Sequence, residues 1–329
     1  MILSRAPYRI SLGGGGTDLP SYYSRYGGFI LSAAINKYLY IYVNRPAADD
    51  YIRLKYSRYE QATTADQIEH DLVRSTLKLL KIGASLEIAS MADVPAGTGL
   101  GSSGTYLVAL LTALYELKRE KVPTQALAEQ ACHIEIDIAG HPAGKHDPYL
   151  AAFGGFTCLD IQTDGRVMVN PLDISITAVE EFRNSVLVFY TGLTRSSSEI
   201  LEAQESDTER RDLKVIESLH RTKELGYEVK EALEKGDIER FGHLLDKHWQ
   251  NKKRRSVRIS DSKLDHLYEV VKGCGVLGGK LMGAGGGGFF MFYCPNHSKA
   301  KVRQTLKAEG LRELPYDFDF DGAKVLVNF

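Results

Sequence analysis

The chain has little of what marks membrane, secreted or nucleic-acid-binding proteins. Its 329 residues hold no apolar run that approaches the ~20 residues of a membrane span, and the first residues lack the pattern of a signal peptide. The 41 basic and 42 acidic side chains nearly cancel, so charge favours neither nucleic acid nor an anionic membrane as a partner. The four cysteines are scattered without metal-ligand spacing. We therefore expect a cytoplasmic protein without nucleic-acid or membrane partners.

No linker rich in proline or serine, no repeat and no low-complexity tract divides the chain. Its length is that of one large or two ordinary domains, and 43% hydrophobic residues are enough for substantial cores. Strand-like and helix-like patterns occur in both halves, which favours an α+β pair of domains. We place the domains at residues 1–175 and 176–329. The oligomeric state stays open, a homodimer included.

Glycine is abundant, with 31 residues, and many of them fall in three clusters. The middle cluster, Pro95–Gly104, precedes a run from Tyr106 to Leu117 that has leucines at helical spacing. A glycine loop at a helix start offers unpaired N–H groups beside the positive end of the helix dipole, where phosphate binds well. A flexible loop capped by serine is the simpler alternative. The predicted phosphate-binding residues are Pro95, Gly97, Gly99, Leu100, Gly101, Ser102, Ser103 and Gly104.

Three familiar phosphate loops fit this segment poorly. A P-loop needs Gly-Lys-Ser/Thr, but Gly279-Lys280 is followed by Leu281. The dinucleotide pattern G-x-G-x-x-G is present from Gly99 to Gly104, yet no strand directly precedes it and Thr124 occupies the position of the expected acid. The signatures of protein kinases are missing as well.

A fourth family matches. The segment from Pro95 resembles the phosphate loop of the GHMP small-molecule kinases, Pro-x-x-x-Gly-Leu-Gly-Ser-Ser. Ala6–Asp18 resembles the first motif of that family and Lys280–Phe289 resembles its third, in the expected order. The resemblance implies an N-terminal domain like domain 2 of ribosomal protein S5 and a ferredoxin-like C-terminal domain, with the glycine loop in the cleft between them. It also implies ATP and Mg²⁺ as cofactors.

Two catalytic residues follow from the same resemblance. Asp147 lies in a segment similar to the family's Ser-Gly-x-Asp motif, although Ala143 stands where serine is frequent, and is the candidate base. Arg9 falls where the family keeps a lysine or arginine, and its guanidinium could bridge the base and the γ-phosphate. The alternatives are an ordinary loop aspartate and a surface salt bridge.

Glu135 is the candidate Mg²⁺ ligand. On a helix from Thr124 to about Ile138 it shares an apolar face with Ala131 and Ile134, where a carboxylate is costly unless it is paired or metal-bound. The alternative is that it borders the apolar stripe and reaches solvent. Ser102 or Ser103 would complete the metal site, and the sequence does not choose between them.

The acceptor is expected to be a sugar phosphate. In the sugar kinases of this family the aspartate matching Asp18 binds sugar hydroxyls, and several motifs look most like those of heptose 7-phosphate kinases, which phosphorylate the anomeric hydroxyl. L-fucokinase is the nearest alternative. Lys252–Arg255 could bind the phosphate of the substrate or could be a solvated helix face. The predicted substrate residues are Gly14, Gly15, Gly16, Thr17, Asp18, Lys145, Gly285 and Gly286, with His146 a weaker candidate.

Two functions of other classes compete with a kinase. One is a regulator that senses sugar and nucleotide without turnover, which has no need to keep Arg9, Glu135 and Asp147. The other is a dinucleotide-dependent oxidoreductase, which the missing ribose acid disfavours.

Overall fold

The structure, a computed structural model, describes residues 1–193, 197–256 and 259–329. Within these residues the strands form two sheets. The strands are β1 (Ile2–Gly13), β2 (Gly28–Asn44), β3 (Ile52–Lys55), β4 (Tyr59–Ala62), β5 (Leu86–Ala92), β6 (Phe156–Ile161), β7 (Val167–Pro171), β8 (Val186–Tyr190), β9 (Gly278–Leu281), β10 (Phe289–Tyr293), β11 (Arg312–Glu313) and β12 (Lys324–Asn328).

Eleven α-helices accompany these strands in the part of the chain described. They are α1 (Pro20–Tyr26), α2 (Asp71–Leu79), α3 (Ser102–Lys118), α4 (Thr124–Cys132), α5 (His146–Phe153), α6 (Ile176–Ser185), α7 (Ser197–Glu209), α8 (Leu213–Glu234), α9 (Ile238–Arg255), α10 (Ser262–Lys272) and α11 (Lys299–Ala308). A 3₁₀ turn covers Ala65–Gln67 and a π-helical segment covers His133–Ile138. No helix among the described residues is both long and apolar enough to cross a membrane.

The first sheet has the order β12-β1-β2-β5-β3-β4, and the hairpin β6-β7 pairs with the first half of β2. Helices α3 and α5 pack on β1 and β2, and the leucines of α3 that the sequence places at helical spacing lie in this core. The last strand, β12, returns to pair antiparallel with β1. This sheet therefore contains strands from both halves of the sequence.

The second sheet is antiparallel, with the order β11-β8-β10-β9. Its core holds large aromatic side chains, among them Trp249 of α9, Tyr268 of α10 and Phe290 of β10, which bring the helices onto the sheet. Two sheets with helices packed on them confirm the predicted α+β class. The domain boundary at residues 175/176 remains a proposal.

Helices α7 and α8 are separated at Arg211, which adopts a positive φ of 60°, and Asp212 then caps α8 by accepting hydrogen bonds from the N–H groups of Lys214 and Val215. One predicted helix differs from that observed. The expected helix 124–138 is α-helical only to Cys132. Beyond it the turn widens to π geometry, as the hydrogen bond from Ala139 N to Ile134 O shows.

The middle and third glycine clusters pack backbone on backbone. A Cβ added at Gly283 would lie 2.5 Å from Gly99 Cα, and one added at Gly288 would lie 2.2 Å from Thr98 O. Both glycines also have positive φ values, 68° and 94°. No other residue type fits these positions, since a side chain there would meet backbone that has no room to move.

We expect Gly288→Ala to destabilise the protein more than Gly310→Ala. Both glycines are left-handed, with φ values of 94° and 80°, but a Cβ at Gly310 meets nothing within 4 Å. The backbone strain of about 1–2 kcal/mol is common to both variants, and overpacking at Gly288 adds about 1–3 kcal/mol. Urea unfolding of the two variants measures the difference. Equal losses of stability would contradict this close packing.

Candidate active site

A cavity of about 970 Å³ is lined by residues of both sheets and of the loops and helices beside them. It brings together most of the residues that the sequence pointed to for chemistry, from β1, the middle glycine loop, the π-helical segment, α5 and α9. The predicted residues that line it are Arg9, Gly15, Gly16, Asp18, Pro95, Gly97, Gly99, Gly101, Ser102, Ser103, Glu135, His146, Asp147, Lys252 and Arg255.

The middle glycine loop ends at the N-terminus of α3, on one wall of the cavity. Gly97, Gly99 and Gly101 all have positive φ, and no side chain caps the first turn of α3. The N–H groups of that turn are therefore available to an anion, with the positive end of the helix dipole behind them. The backbone fits a polyphosphate, because side chains are absent where it would lie.

Asp147 lies directly beneath this loop. A Cβ at Gly101 would lie 2.9 Å from Asp147 Cγ, and one at Gly104 would lie 2.8 Å from Asp147 Cβ. Arg9 holds the carboxylate from β1, with Nε and Nη2 each 2.7 Å from Asp147 Oδ1. Its Nη1 donates to Gly99 O at 2.6 Å, so the same guanidinium also positions the loop.

The charges continue from Asp147 to Asp18 through His146. The Nε2 atom of His146 lies 2.8 Å from Asp147 Oδ1, and its Nδ1 lies 2.6 Å from Asp18 Oδ2. Asp18 Oδ2 also accepts from His146 N, and Oδ1 accepts from Gly16 N. Two carboxylates and two cationic groups thus alternate as Arg9, Asp147, His146 and Asp18.

This alternation decides which groups are ionised. Burial disfavours an imidazolium, but the flanking carboxylates of Asp147 and Asp18 raise the pKa of His146 to about 9. Burial likewise opposes ionisation of Asp147, yet Arg9 and His146 hold its pKa well below the usual range. The pKa of Asp18 is lowered by His146 in spite of burial. At neutral pH all of these groups are charged.

Glu135 lies beside Ser103 in the first turn of α3. It is 2% exposed, and burial raises its pKa to about 7, which a hydrogen bond from Ser103 opposes and the charge of Asp147 reinforces. Ser102, in contrast, lies beside Tyr8. No group of three His, Cys, Asp or Glu side chains within the described ranges could hold a metal alone. A Mg²⁺ ion at Glu135 and Ser103 would therefore need further ligands. The phosphate oxygens of a nucleotide held by the adjacent loop would supply them.

Several predicted substrate residues lie outside the cavity lining. Thr17 is fully buried, and its hydroxyl bonds Gly14 O at 2.9 Å and Phe29 O at 2.8 Å. Lys145 Nζ donates to Gly165 O at 2.5 Å. The Thr17 hydroxyl is therefore engaged by backbone, whereas a contact of Lys145 with the substrate stays a prediction. The other predicted residues outside the lining are Gly14, Leu100, Gly104, Gly285 and Gly286, of which Gly286 N bonds Ile259 O.

Two buried residues of the lining, His248 and Lys280, were not predicted from the sequence. The structure also divides the basic run Lys252–Arg255, which was expected to act as one. Lys252 and Arg255 are buried toward the cavity and Arg254 is exposed. The spacing of positions 248, 252 and 255 indicates this division, because residues three and four apart share one face of a helix.

Both halves of the chain match known family models. Residues 71–155 match the GHMP kinases N terminal domain and residues 229–310 match the GHMP kinases C terminal domain. A galactokinase of Pyrococcus furiosus is 30% identical, over 87% of each chain. A D-glycero-alpha-D-manno-heptose 7-phosphate kinase of Campylobacter jejuni is 29% identical, over 98% of each chain.

A solved structure covers the whole chain. The crystal structure of a D-glycero-D-manno-heptose 1-phosphate kinase from Bacteroides thetaiotaomicron superposes with a TM-score of 0.82 at 28% identity, over 100% of both chains. The chain belongs to the GHMP kinase family. It is a phosphotransferase that acts on a hydroxyl group, and its glycine-loop helix without a side-chain cap and its Arg9–Asp147 pair suit that chemistry.

The charged state of His146 makes the stability depend on pH. Its pKa is about 9 in the native protein, above the value of about 6.5 in an unfolded chain. The stabilisation is therefore fully present below about pH 6.5 and is lost as the pH rises through about 9. We expect the stability difference between the parent and His146→Gln to shrink over this interval, measured by urea unfolding. Exposed His243 provides the control variant, His243→Gln. A difference that grows with pH would contradict a raised pKa.

Proposed function

We propose that the protein transfers a phosphoryl group from ATP to the anomeric hydroxyl of D-glycero-D-manno-heptose 7-phosphate and forms the 1,7-bisphosphate. The observation that carries the proposal is the Arg9–Asp147 pair, which lies beneath the N-terminus of α3 inside the cavity. Two relatives that cover almost the whole chain are named as kinases of a heptose phosphate, although their names place that phosphate at different positions.

The triphosphate is proposed to lie along Gly97–Ser103. Four N-terminal N–H groups of a helix lack partners within it, and here no side chain takes them. Arg9 lies next to this turn through its bond to Gly99 O, so its positive charge faces the phosphoryl group in transfer. Phosphoryl transfer depends mainly on such positioning and on charge stabilisation.

Asp147 is proposed to orient the acceptor hydroxyl. Its carboxylate accepts hydrogen bonds but, with its pKa held far down by Arg9 and His146, it is a weak base before the substrates bind. A loose transition state needs little deprotonation of the nucleophile, so accepting the hydrogen bond is enough until late in the transfer. The carboxylate of Asp147 then accepts the proton of the acceptor hydroxyl.

Asp18 is proposed to hold sugar hydroxyls. It lines the cavity next to Gly15 and Gly16, and its carboxylate has lone pairs beyond those used by Gly16 N and His146. His146 then fixes Asp18 and Asp147 relative to each other, so that the sugar and the acceptor position share one rigid frame.

Mg²⁺ is proposed to be held by Glu135 and Ser103, with Ser102 outside the site. The buried carboxyl beside a serine hydroxyl suits a hard cation, which would neutralise phosphate charge. Because the pKa of Glu135 is about 7, its carboxyl can lose its proton to solvent near neutral pH and bind a cation in its place.

Asp147→Asn tests the proposed function. We expect the parent to convert the heptose 7-phosphate with ATP into a product whose new phosphorus signal is anomeric by NMR. The variant should lose about 10²-fold in single-turnover rate, at the low end of the effect of a positioned base, and should keep ATP binding. Asp18→Asn is the matched control, since it also removes a carboxylate next to His146 but should act mainly on KM for the sugar.

Turnover of L-fucose but not of the heptose phosphate by the parent would replace the proposed substrate. An Asp147→Asn rate equal to that of the parent would remove Asp147 from the mechanism. Loss of ATP binding together with a lower melting temperature would make the Arg9–Asp147 pair structural.

The two serines separate the proposed metal site from its neighbour. We expect Ser103→Ala to raise the Mg²⁺ concentration needed for half-maximal activity, because Ser103 contacts Glu135, whereas Ser102→Ala leaves it unchanged. Glu135→Gln should act like Ser103→Ala. Direct titration of Mg²⁺ into the protein with a non-hydrolysable ATP analogue gives the same comparison without turnover. A larger effect of Ser102→Ala would place the cation on the other side of the helix.

A further inference from the structure

One end of the cavity holds buried cationic groups that no carboxylate balances. Lys252 and Arg255 of α9 are each 8% exposed, and Lys280 of β9 is 3% exposed. All three line the cavity. Over residues 1–193, 197–256 and 259–329 none of them forms an ion pair, in contrast to Arg9, which is paired with Asp147. Buried lysine and arginine are usually paired, so this cluster is exceptional.

Neutral groups hold the three side chains in place. Lys252 Nζ donates to Leu281 O at 3.1 Å and to Gly283 O at 2.6 Å, and Lys280 Nζ donates to Leu12 O at 3.3 Å. Arg255 donates to Gln204 Oε1 at 2.9 Å and to Thr222 Oγ1 at 2.8 Å. A lysine has three donors and an arginine five, so each side chain keeps donors for a ligand.

His248 lies one helical turn before Lys252 and adds an independent sign of a ligand. It is 2% exposed, it lines the cavity, and neither of its ring nitrogens has a hydrogen-bond partner among the residues that the structure describes. Burial and the neighbouring cations Lys280 and Lys252 hold its pKa well below the usual value, so it is neutral. A neutral imidazole can still donate one hydrogen bond to an anion.

The cluster lies close to residues 14–18, the loop that the sequence predicts to bind the sugar. A Cβ at Gly16 would lie 2.9 Å from Arg255 Nη1, and Gln204, which binds Arg255, also donates to Gly16 O at 3.1 Å. The part of the cavity proposed to bind the triphosphate is formed by other residues, Gly97–Ser103 at the start of α3. An anion at Arg255 would therefore lie beside the loop that is predicted to hold the acceptor sugar.

We propose that Lys252, Arg255 and Lys280, with His248, bind the phosphate monoester that the acceptor sugar already carries, and thereby select phosphorylated sugars. The proposal rests on the proposed function for the identity of the sugar. A dianion placed among these donors would meet three buried basic side chains at once, which an unphosphorylated sugar cannot do. The reacting hydroxyl would then be bound in the same cavity as Asp147.

Arg255→Gln and Arg254→Gln form a matched pair for the test. The two arginines are adjacent on α9, and only Arg254 is exposed. We expect Arg255→Gln to lower kcat/KM for the heptose 7-phosphate by about 10- to 100-fold, the effect of losing one charge-assisted hydrogen bond, with KM for ATP unchanged. Activity toward the unphosphorylated heptose should be low in the parent, because that sugar lacks the phosphate that the cluster binds. Arg254→Gln should match the parent with both sugars.

A binding measurement without turnover accompanies the kinetics. Inorganic phosphate is titrated calorimetrically into the protein with a saturating non-hydrolysable ATP analogue, so that the triphosphate positions are filled. We expect phosphate to bind to the parent and to Arg254→Gln, and to bind more weakly to Arg255→Gln. Lys280→Met serves the same purpose if Arg255→Gln does not fold, and Arg255→Lys should recover part of the binding because it keeps the charge.

The outcomes distinguish this inference from the proposed function. Phosphate binding that the ATP analogue abolishes in the parent would assign the cluster to ATP and overturn the inference. Equal effects of Arg255→Gln and Arg254→Gln, or equal use of both sugars, would overturn it as well. Phosphate binding that depends on Arg255 without turnover of the heptose 7-phosphate would overturn the proposed substrate and leave the anion site in place.

Discussion

The close approach of two glycine segments is the constraint on which the site depends. Gly99 and Thr98 in the middle loop lie against Gly283 and Gly288 without a side chain between them. Because Gly283 follows β9 of the second sheet and the loop leads into α3 on the first, this contact sets the distance between the two sheets at the cavity. The same loop rests on Asp147 through Gly101, so the position of the carboxylate follows from backbone packing.

Charge is distributed unevenly within the cavity that this packing creates. Around Asp147, Arg9 and His146 lie beside carboxylates of opposite charge. Around Arg255 the partners found in the described part of the chain are neutral groups. Burial lowers the pKa of Arg255 to about 10 and, together with Arg9, that of Lys280 to about 7, which shows the cost of keeping them charged there. The proposed anion would relieve that cost, so the same charges would give both selectivity and affinity.

Local pattern predicted the parts of the site that local chemistry determines. The spacing of leucines predicted α3, and the glycine loop before it predicted a helix start open to an anion. The same reasoning failed where a residue's surroundings come from elsewhere. The motif predicts Thr17 as a sugar ligand, but its hydroxyl donates a hydrogen bond to Phe29 O. Glu135 was expected on a regular helix, but the widened π turn carries it.

The sequence by itself determined the family, the α+β class and the three motifs, because each depends on residues close together in the chain. Only the tertiary structure decided which of those residues meet. Arg9 reaches Asp147 across 138 positions and Asp18 reaches His146 across 128, contacts that no local spacing encodes. It also divided the basic run on α9 into buried Lys252 and Arg255 and exposed Arg254. Helical periodicity gives residues a common face, but only the packing of that helix against β9 determines that the face is buried beside the cavity.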